Sequence, residues 1–260
     1  MKFTKMHGIG NDFIIIDSEK ESLEGIDLSS LAVKLCDRHF GIGADGLLIS
    51  TPSKTADIKM RVFNPDGSEA EMCGNGIRCF AKYIYEKMDK KKDIISVETM
   101  AGVMLPSIIE YKGHIAIVEV DMGTPREIKK AKVKGYDATL VSMGNPHCVI
   151  FVDDLNKIDV GLLGAEIETD KMFPNRTNVE FAKIESNKEV TVKVWERGVG
   201  ETLACGTGAC AAVVAGSEAK ILERNVLVHL PGGNLEIEWQ PDDHIILRGP
   251  AETVYEGNSI

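Results

Sequence analysis

Six cysteines are spread along the 260-residue chain, at positions 36, 73, 79, 148, 205 and 210. Two of them open related segments, Met72-Cys73-Gly74-Asn75-Gly76 and Ala204-Cys205-Gly206-Thr207-Gly208. A helical pattern follows each. Ile77, Phe80, Ala81, Ile84 and Met88 recur on one helix face; residues 206–222 are small or apolar on all sides over their first two turns, the pattern of a buried helix. A cysteine just ahead of a helix sits where unpaired N–H groups and the helix dipole favour an anion. That placement is expected to lower the thiol pKa from about 8.5 toward neutrality. The glycines let a ligand approach the backbone closely, and the same N–H groups can bind a carboxylate. Two such thiols facing one another across a cleft can invert a carbon next to a carboxylate. One removes the α-proton from one face, the other returns a proton to the opposite face, and the roles exchange in reverse. Water must be kept out, because an amino-acid α-proton is very weakly acidic.

The other thiols read differently. Cys36, Cys79 and Cys148 are expected to be small core hydrophobes. Cys79 and Cys210 fall inside the helices that Cys73 and Cys205 open. The spacings contain no Cys-X2-Cys redox pair and no zinc knuckle, so neither a thiol–disulfide exchanger nor a metal site is expected. Gly41-Ile42-Gly43-Ala44-Asp45-Gly46 matches a dinucleotide fingerprint in letters only, because a helical run precedes it and a strand pattern follows.

The elements that must position these thiols are mostly strands. β-rich runs cover 11–17, 57–63, 114–120, 141–151, 190–195 and 244–247, punctuated by Gly, Pro and Asn. A further helical run spans Leu28 to His39. The chain also repeats itself. An offset of 132 pairs the two cysteine segments, Phe63-Asn64 with Trp195-Glu196, and Glu69 with Glu201; an offset of 134 pairs Gly10-Asn11 with Gly144-Asn145. These matches keep their order, and a period this long is not that of a solenoid. The fold expected is an α/β (α+β) chain of two pseudo-symmetric halves, each a strand-rich, barrel-like sheet around one central helix, with the active site in the cleft between them. The expected boundaries are 1–118 and 119–249.

A net charge of −10, from 30 Lys plus Arg against 40 Asp plus Glu, argues against a nucleic-acid partner. The one basic cluster, Lys87 with Lys90, Lys91 and Lys92, reads as a solvated helix end. No apolar run approaches the roughly 20 residues of a membrane span, and the N-terminal residues show no secretory pattern. A cytoplasmic protein with free thiols and no membrane partner is the expectation.

Seven segments together resemble the diaminopimelate epimerase family over nearly the whole chain. They are Met6–Phe13, Phe63–Ser68, Met72–Cys79, Gly144–His147, Arg176–Phe181, Trp195–Gly198 and Ala204–Gly208. The resemblance implies an enzyme that uses neither pyridoxal phosphate nor a metal, and interconverts LL- and meso-2,6-diaminopimelate on the route to lysine and peptidoglycan. It implies that Cys205 takes the α-proton of the LL isomer and that Cys73 donates one. By the same carry-over, Gly74, Asn75, Gly206 and Thr207 hold the reacting carboxylate. Asn11, Asn64, Asn145, Asn178, Glu196 and Arg197 hold the rest of the substrate, while His147 and Glu196 tune the thiols. The planar Arg197 fork suits a distal carboxylate, and Glu196 suits an ammonium. The final residues, 250–260, are implied to return to the first half, and a homodimer is the family's common state. Where some members carry Gln, this chain has Gly46.

Two other classes compete. One is another two-cysteine racemase, acting on proline, hydroxyproline, histidine or lysine; a proline-type substrate leaves Arg197 no distal carboxylate. The other is a non-catalytic amino-acid-binding protein or a thiol redox sensor.

Overall fold

The computed structural model describes residues 1–259. The chain divides into two compact units, Met1–Val120 with the residues from Gly249 onward, and Asp121–Arg248.

The first unit contains β1 (Lys2–Gly8), β2 (Asn11–Asp17), α1 (Leu28–Cys36), β3 (Gly46–Thr51), β4 (Ile58–Phe63), β5 (Glu69–Ala70), α2 (Gly74–Lys87), β6 (Val97–Thr99), β7 (Gly102–Met104), β8 (Ser107–Lys112) and β9 (Ile115–Asp121). β1 and β2 pair antiparallel, β2 and β3 parallel, β3 and β4 antiparallel, and β4 and β6 parallel. β6 continues the ladder to β7, and β8 pairs with β9. Residues 252–258 return to pair with β1, and the Thr253 N–H donates to the His114 carbonyl at 2.8 Å. Helix α2 runs against β1, β2, β4 and β8 and is buried from Asn75 through Ile84.

The sequence predicts an amphipathic stripe for α2, and the structure corrects it. Strands surround the helix, so its charged residues are enclosed as well. Arg78 and Lys82 are fully buried. Arg78 donates to the carbonyls of Gly74 and Pro250, and Lys82 donates to Glu86 Oε1 at 2.6 Å and Thr253 Oγ1 at 2.7 Å. These bonds tie both buried cations into the surrounding backbone and side chains.

The second unit contains β10 (Arg126–Val133), β11 (Tyr136–Ser142), β12 (Pro146–Phe151), α3 (Val160–Glu168), β13 (Asn178–Ser186), β14 (Glu189–Glu196), β15 (Gly200–Thr202), α4 (Gly206–Glu218), β16 (Asn225–Leu230), β17 (Gly233–Trp239) and the start of β18 (Ile245–Asn258). Its ladders repeat those of the first unit in kind. β11 and β12 pair antiparallel, β12 and β13 parallel, β13 and β14 antiparallel, and β14 and β16 parallel. Even the register repeats. Phe13 faces Gly46 across β2–β3, and His147 faces Asn178 across β12–β13. Helix α4 packs against β11–β14, β16 and β17 with every residue from Gly208 to Gly216 buried. Its Gly and Ala content lets those strands approach closely.

Local boundaries differ from the sequence reading where tertiary contacts intervene. The run 141–151 is two strands, because Gly144 at φ 93° turns the chain between β11 and β12. Helix α1 starts on the Asp27 cap and ends at Cys36, three residues short of His39. Helix α3 was not expected, since two glycines lower its intrinsic propensity. Gly164 there is required by packing: a Cβ would lie 2.6 Å from Trp195 Cβ.

Candidate active site

Cys73 and Cys205 are the N-caps of α2 and α4. Both have extended backbones, φ −137° and ψ 119° for Cys73 and φ −125° and ψ 111° for Cys205. Each sulfur accepts from the N–H three residues on, Gly76 to Cys73 at 3.4 Å and Gly208 to Cys205 at 3.3 Å. This is N-cap geometry with sulfur in place of the usual oxygen. Cys73 is half-buried, whereas Cys205 is buried.

Around Cys73, the first unit gathers Asn11 and Asn75. Asn75 Nδ2 donates to Asn11 Oδ1 at 3.0 Å, and the same oxygen lies 4.0 Å from Cys73 Sγ. Asn11 Nδ2 donates to Asp45 Oδ2 at 2.9 Å. Asp45 belongs to a cluster with Asp12, Arg38 and Lys5; Arg38 Nη2 lies 2.7 Å from both Asp12 Oδ1 and Asp45 Oδ1. Burial pushes the Asp12 carboxyl up, but its bonds from Arg38 and Lys5 outweigh that and hold it at about 2. Gly74 is the first residue of α2. Asn64 is exposed in the turn after β4, donating to Ser68 Oγ at 2.9 Å. At Gly46 a Cβ would lie 3.2 Å from the Phe13 ring and from the Phe63 carbonyl oxygen.

Around Cys205, the second unit gathers Thr207, Asn145, His147 and Glu180. Thr207 Oγ1 lies 3.5 Å from Sγ and accepts from Asn145 Nδ2 at 3.3 Å. Asn145 Oδ1 is 2.9 Å from His147 Nε2, and His147 Nδ1 is 2.7 Å from Glu180 Oε1. The His147 and Glu180 side chains are completely inaccessible to solvent. Asn178 accepts the Arg197 N–H at 3.0 Å and donates to the Pro146 carbonyl at 2.8 Å, tying the end of β14 to β12. Glu196 accepts from the Thr202 hydroxyl at 2.6 Å. Arg197 Nη1 donates to the Asn175 carbonyl at 3.4 Å, and its side chain is exposed. Gly206 opens α4.

The expected lowering of the thiol pKa does not hold at Cys205. Burial pushes that thiol well above its ordinary value, and the nearby Glu196 and Glu180 carboxylates add to the rise. Thr207 and the Gly208 N–H oppose it without prevailing. Desolvation of a charged sulfur here outweighs one helix terminus. Burial also raises Cys36 to about 11, and Cys79 and Cys148 to about 12, as befits thiols that serve as core side chains.

Sequence reasoning assigned no role to three residues that organise these surroundings. Asp45 fixes Asn11, and Glu180 fixes His147. Glu168 accepts from Trp195 Nε1 at 2.7 Å and from the Gly198 N–H at 2.8 Å, which braces the loop carrying Glu196 and Arg197. For Glu180 a signal existed. It is a carboxylate between Val179 and Phe181 in an otherwise apolar strand, on the same face as Asn178 by strand alternation.

The sequence profile of the family described as "Diaminopimelate epimerase" matches residues 3–128 and 139–254. A protein named diaminopimelate epimerase from Pelotomaculum thermopropionicum is 53% identical, over 99% of this chain and 98% of its own length. Among solved structures, a phenazine biosynthesis protein of the PhzF family from Bacillus anthracis superposes with a TM-score of 0.76 at 15% identity, covering 100% of this chain and 99% of its own. A hydroxyproline epimerase from Agrobacterium vitis, solved with bound trans-4-hydroxy-L-proline, superposes with a TM-score of 0.70 at 15% identity, covering 99% and 90%. At that identity the two structures bear on the fold alone.

Proposed function

The chain belongs to the diaminopimelate epimerase family and is an isomerase, and from that premise we propose that Cys73 and Cys205 are its acid and base. The reaction is the interconversion of LL- and meso-2,6-diaminopimelate, a step of lysine biosynthesis. In the LL-to-meso direction Cys205 takes the α-proton as a thiolate and Cys73 delivers a proton to the opposite face; the reverse reaction exchanges the roles. The mechanism requires both sulfurs to reach one α-carbon. The carrying observation is the duplicated cap, in which each sulfur already accepts a helix N–H, at 3.4 Å and 3.3 Å.

The remaining assignments follow from donor chemistry. The first-turn N–H groups at Gly74 and Asn75, and at Gly206 and Thr207, receive the reacting carboxylate, where the helix dipoles favour negative charge. Asn11 and Asn145 border the two thiols. Asn64, Asn178, Glu196 and Arg197 hold the distal amino-acid head, with the Arg197 guanidinium on its carboxylate and Glu196 on its ammonium. The raised pKa of Cys205 serves the chemistry, because a thiolate that binds its proton more tightly is a stronger base toward a weakly acidic C–H. His147 and Glu196 tune that sulfur. The same reading extends to a cytoplasmic homodimer, which sedimentation of the purified protein tests. Among the described residues no helix is long and apolar enough to cross a membrane.

The deciding experiment incubates the protein with LL-diaminopimelate in deuterated water without added cofactor and follows C2 by NMR. Deuterium entering as the meso isomer appears supports the reading. No exchange on diaminopimelate, with exchange on proline or histidine, moves the substrate and keeps the mechanism. No exchange on any amino acid, with the thiols shown to be reduced, overturns it in favour of binding or sensing.

A further inference from the structure

The two cysteine caps are alike in backbone but opposite in the groups aimed at the sulfur. Beside Cys73 stands the Asn11 amide, and behind that amide stands Asp45. Asp45 already receives the Asp12 N–H at 3.0 Å and the Arg38 guanidinium at 2.7 Å, so it is an acceptor. The Asn11 NH2 must therefore point back at Asp45, which leaves its carbonyl oxygen facing Asn75 Nδ2 and the Cys73 sulfur. An oxygen aimed at a sulfur welcomes an S–H and repels a thiolate.

The order is reversed at Cys205. There Asn145, the counterpart of Asn11 in the repeat, is backed by His147 and Glu180. Glu180 is fully buried, its Oε2 has no hydrogen-bond partner, and its one side-chain bond is to His147 Nδ1. A buried carboxyl with a single partner at 2.7 Å shares one proton with that ring nitrogen. Either partner can carry that proton, and the neighbouring amide settles the other nitrogen: with its NH2 on Thr207 Oγ1, Asn145 turns its oxygen to Nε2, which must then carry a hydrogen. That hydrogen goes to Asn145 Oδ1, 2.9 Å away. With an amide donor on its oxygen, the Thr207 hydroxyl is free to aim its hydrogen at the Cys205 sulfur, 3.5 Å away. In the first unit the places of His147 and Glu180 in the two parallel strands are held by Phe13 and Leu48, and this relay has no equivalent.

We propose that Glu180 is a positioning residue which, through His147, Asn145 and Thr207, aims a hydroxyl hydrogen at the Cys205 sulfur, while Asp45 turns the Asn11 oxygen toward Cys73. The two sulfurs then meet opposite partners: Cys73 faces an acceptor oxygen, and Cys205 faces a donor that steadies its thiolate once formed. The inference rests on the two-cysteine mechanism and explains which sulfur plays which part. The ionisable groups around Glu180 are His147 and Cys148 on β12, Cys205 at the start of α4 and, beyond that sulfur, Glu196 on β14. Only His147 is bonded to it by its side chain.

Two measurements test the relay. The first is the 15N spectrum of the wild-type protein labelled at histidine, with the His147 signals assigned by their loss in His147→Asn. The relay requires a hydrogen on Nε2; a bare Nε2 overturns it. The second is a double-mutant cycle on kcat/KM for LL-diaminopimelate with Glu180→Leu, which copies Leu48 of the first unit, and Thr207→Val. Each single variant is expected to lose about 10- to 100-fold, the range for an oriented bond to a charged group. Once Thr207 has lost its hydroxyl, Glu180→Leu should cost little more. Losses that multiply overturn the relay, because a structural defect is blind to the hydroxyl. If Glu180→Leu does not fold, the wild-type spectrum still decides. A wild-type protein with no epimerase activity would instead remove the two-cysteine reading beneath.

Discussion

A methyl group added at Gly208 should damage the protein far more than one added at Gly76, though both glycines occupy the third position of a cysteine-capped helix. At Gly208 the new Cβ would lie 2.8 Å from Glu180 Oε1 and 3.3 Å from both Cβ and Sγ of Cys205. The Glu180 side chain cannot swing clear, because it is fully enclosed and held by His147. At Gly76 the closest atoms are Cys73 Cβ at 3.2 Å, Cys73 Sγ at 3.5 Å and Leu48 Cδ2 at 3.5 Å, contacts that a small adjustment relieves. Overpacking a core costs about 1–3 kcal/mol. Disturbing the Glu180 bond adds about 1.5–3 kcal/mol. Against these, Gly to Ala in a helix returns up to about 1 kcal/mol. Gly208→Ala should therefore lose about 1.5–5 kcal/mol, while Gly76→Ala stays within about 1 kcal/mol of wild type. For a chain of this size that loss corresponds to an apparent melting temperature lower by about 3–20 °C. Thermal unfolding followed by circular dichroism, with both variants side by side, reads it directly. Deuterium exchange at C2 should fall at least about tenfold further in Gly208→Ala, since the methyl also crowds Sγ. Equal melting temperatures and equal exchange would refute the claim that Glu180 is pinned against the first turn of α4.

Replacing either Cys73 or Cys205 with Ala should abolish epimerisation, and wild-type turnover in either variant would remove the two-base assignment. Arg197→Lys keeps the charge but loses the planar fork, so KM for diaminopimelate should rise about 10-fold or more with kcat less affected; steady-state kinetics separate the two. Stability should fall at high pH. Buried Cys36, Cys79 and Cys148 are raised to about 11, 12 and 12, so their contribution is complete below the unfolded thiol value and is lost as pH rises through the folded ones. From about pH 8.5 upward each costs up to about 1.4 kcal/mol per pH unit, and urea unfolding of Cys148→Val should show a shallower slope. Asp12 gives the acid counterpart: held at about 2, it stabilises above the unfolded carboxyl value and loses that as pH falls through its own. Asp12→Asn should flatten the loss of stability between about pH 4 and pH 2.

Much of this was legible in the chain itself. The repeat of Cys-Gly-X-Gly before a helical run located both thiols, because a helix cap is a local structure whose residues are neighbours in sequence. Strand runs, the long period and the family segments led to two similar α/β units around buried helices. What periodicity misjudged was burial. Helix α2 reads as amphipathic, yet strands from distant parts of the chain enclose it and bond to Arg78 and Lys82. Helix α3 was missed because its Gly164 answers to Trp195, 31 positions further on, rather than to its own neighbours.

The sequence by itself determined which atoms could do the chemistry: two thiols, each at a helix start, each followed by backbone N–H groups. Tertiary structure decided their electrostatic character. Cys205 lies deep, beside Glu180 brought in by β13 and Glu196 brought in by β14, so burial and like charge overrule the helix terminus. Asp45 and Glu180, each more than 20 residues from the cysteine it influences, decide which way Asn11 and Asn145 present their amides. Proximity in a folded interior acts over ångströms with little water to screen it, and spacing along a chain carries no record of such distances.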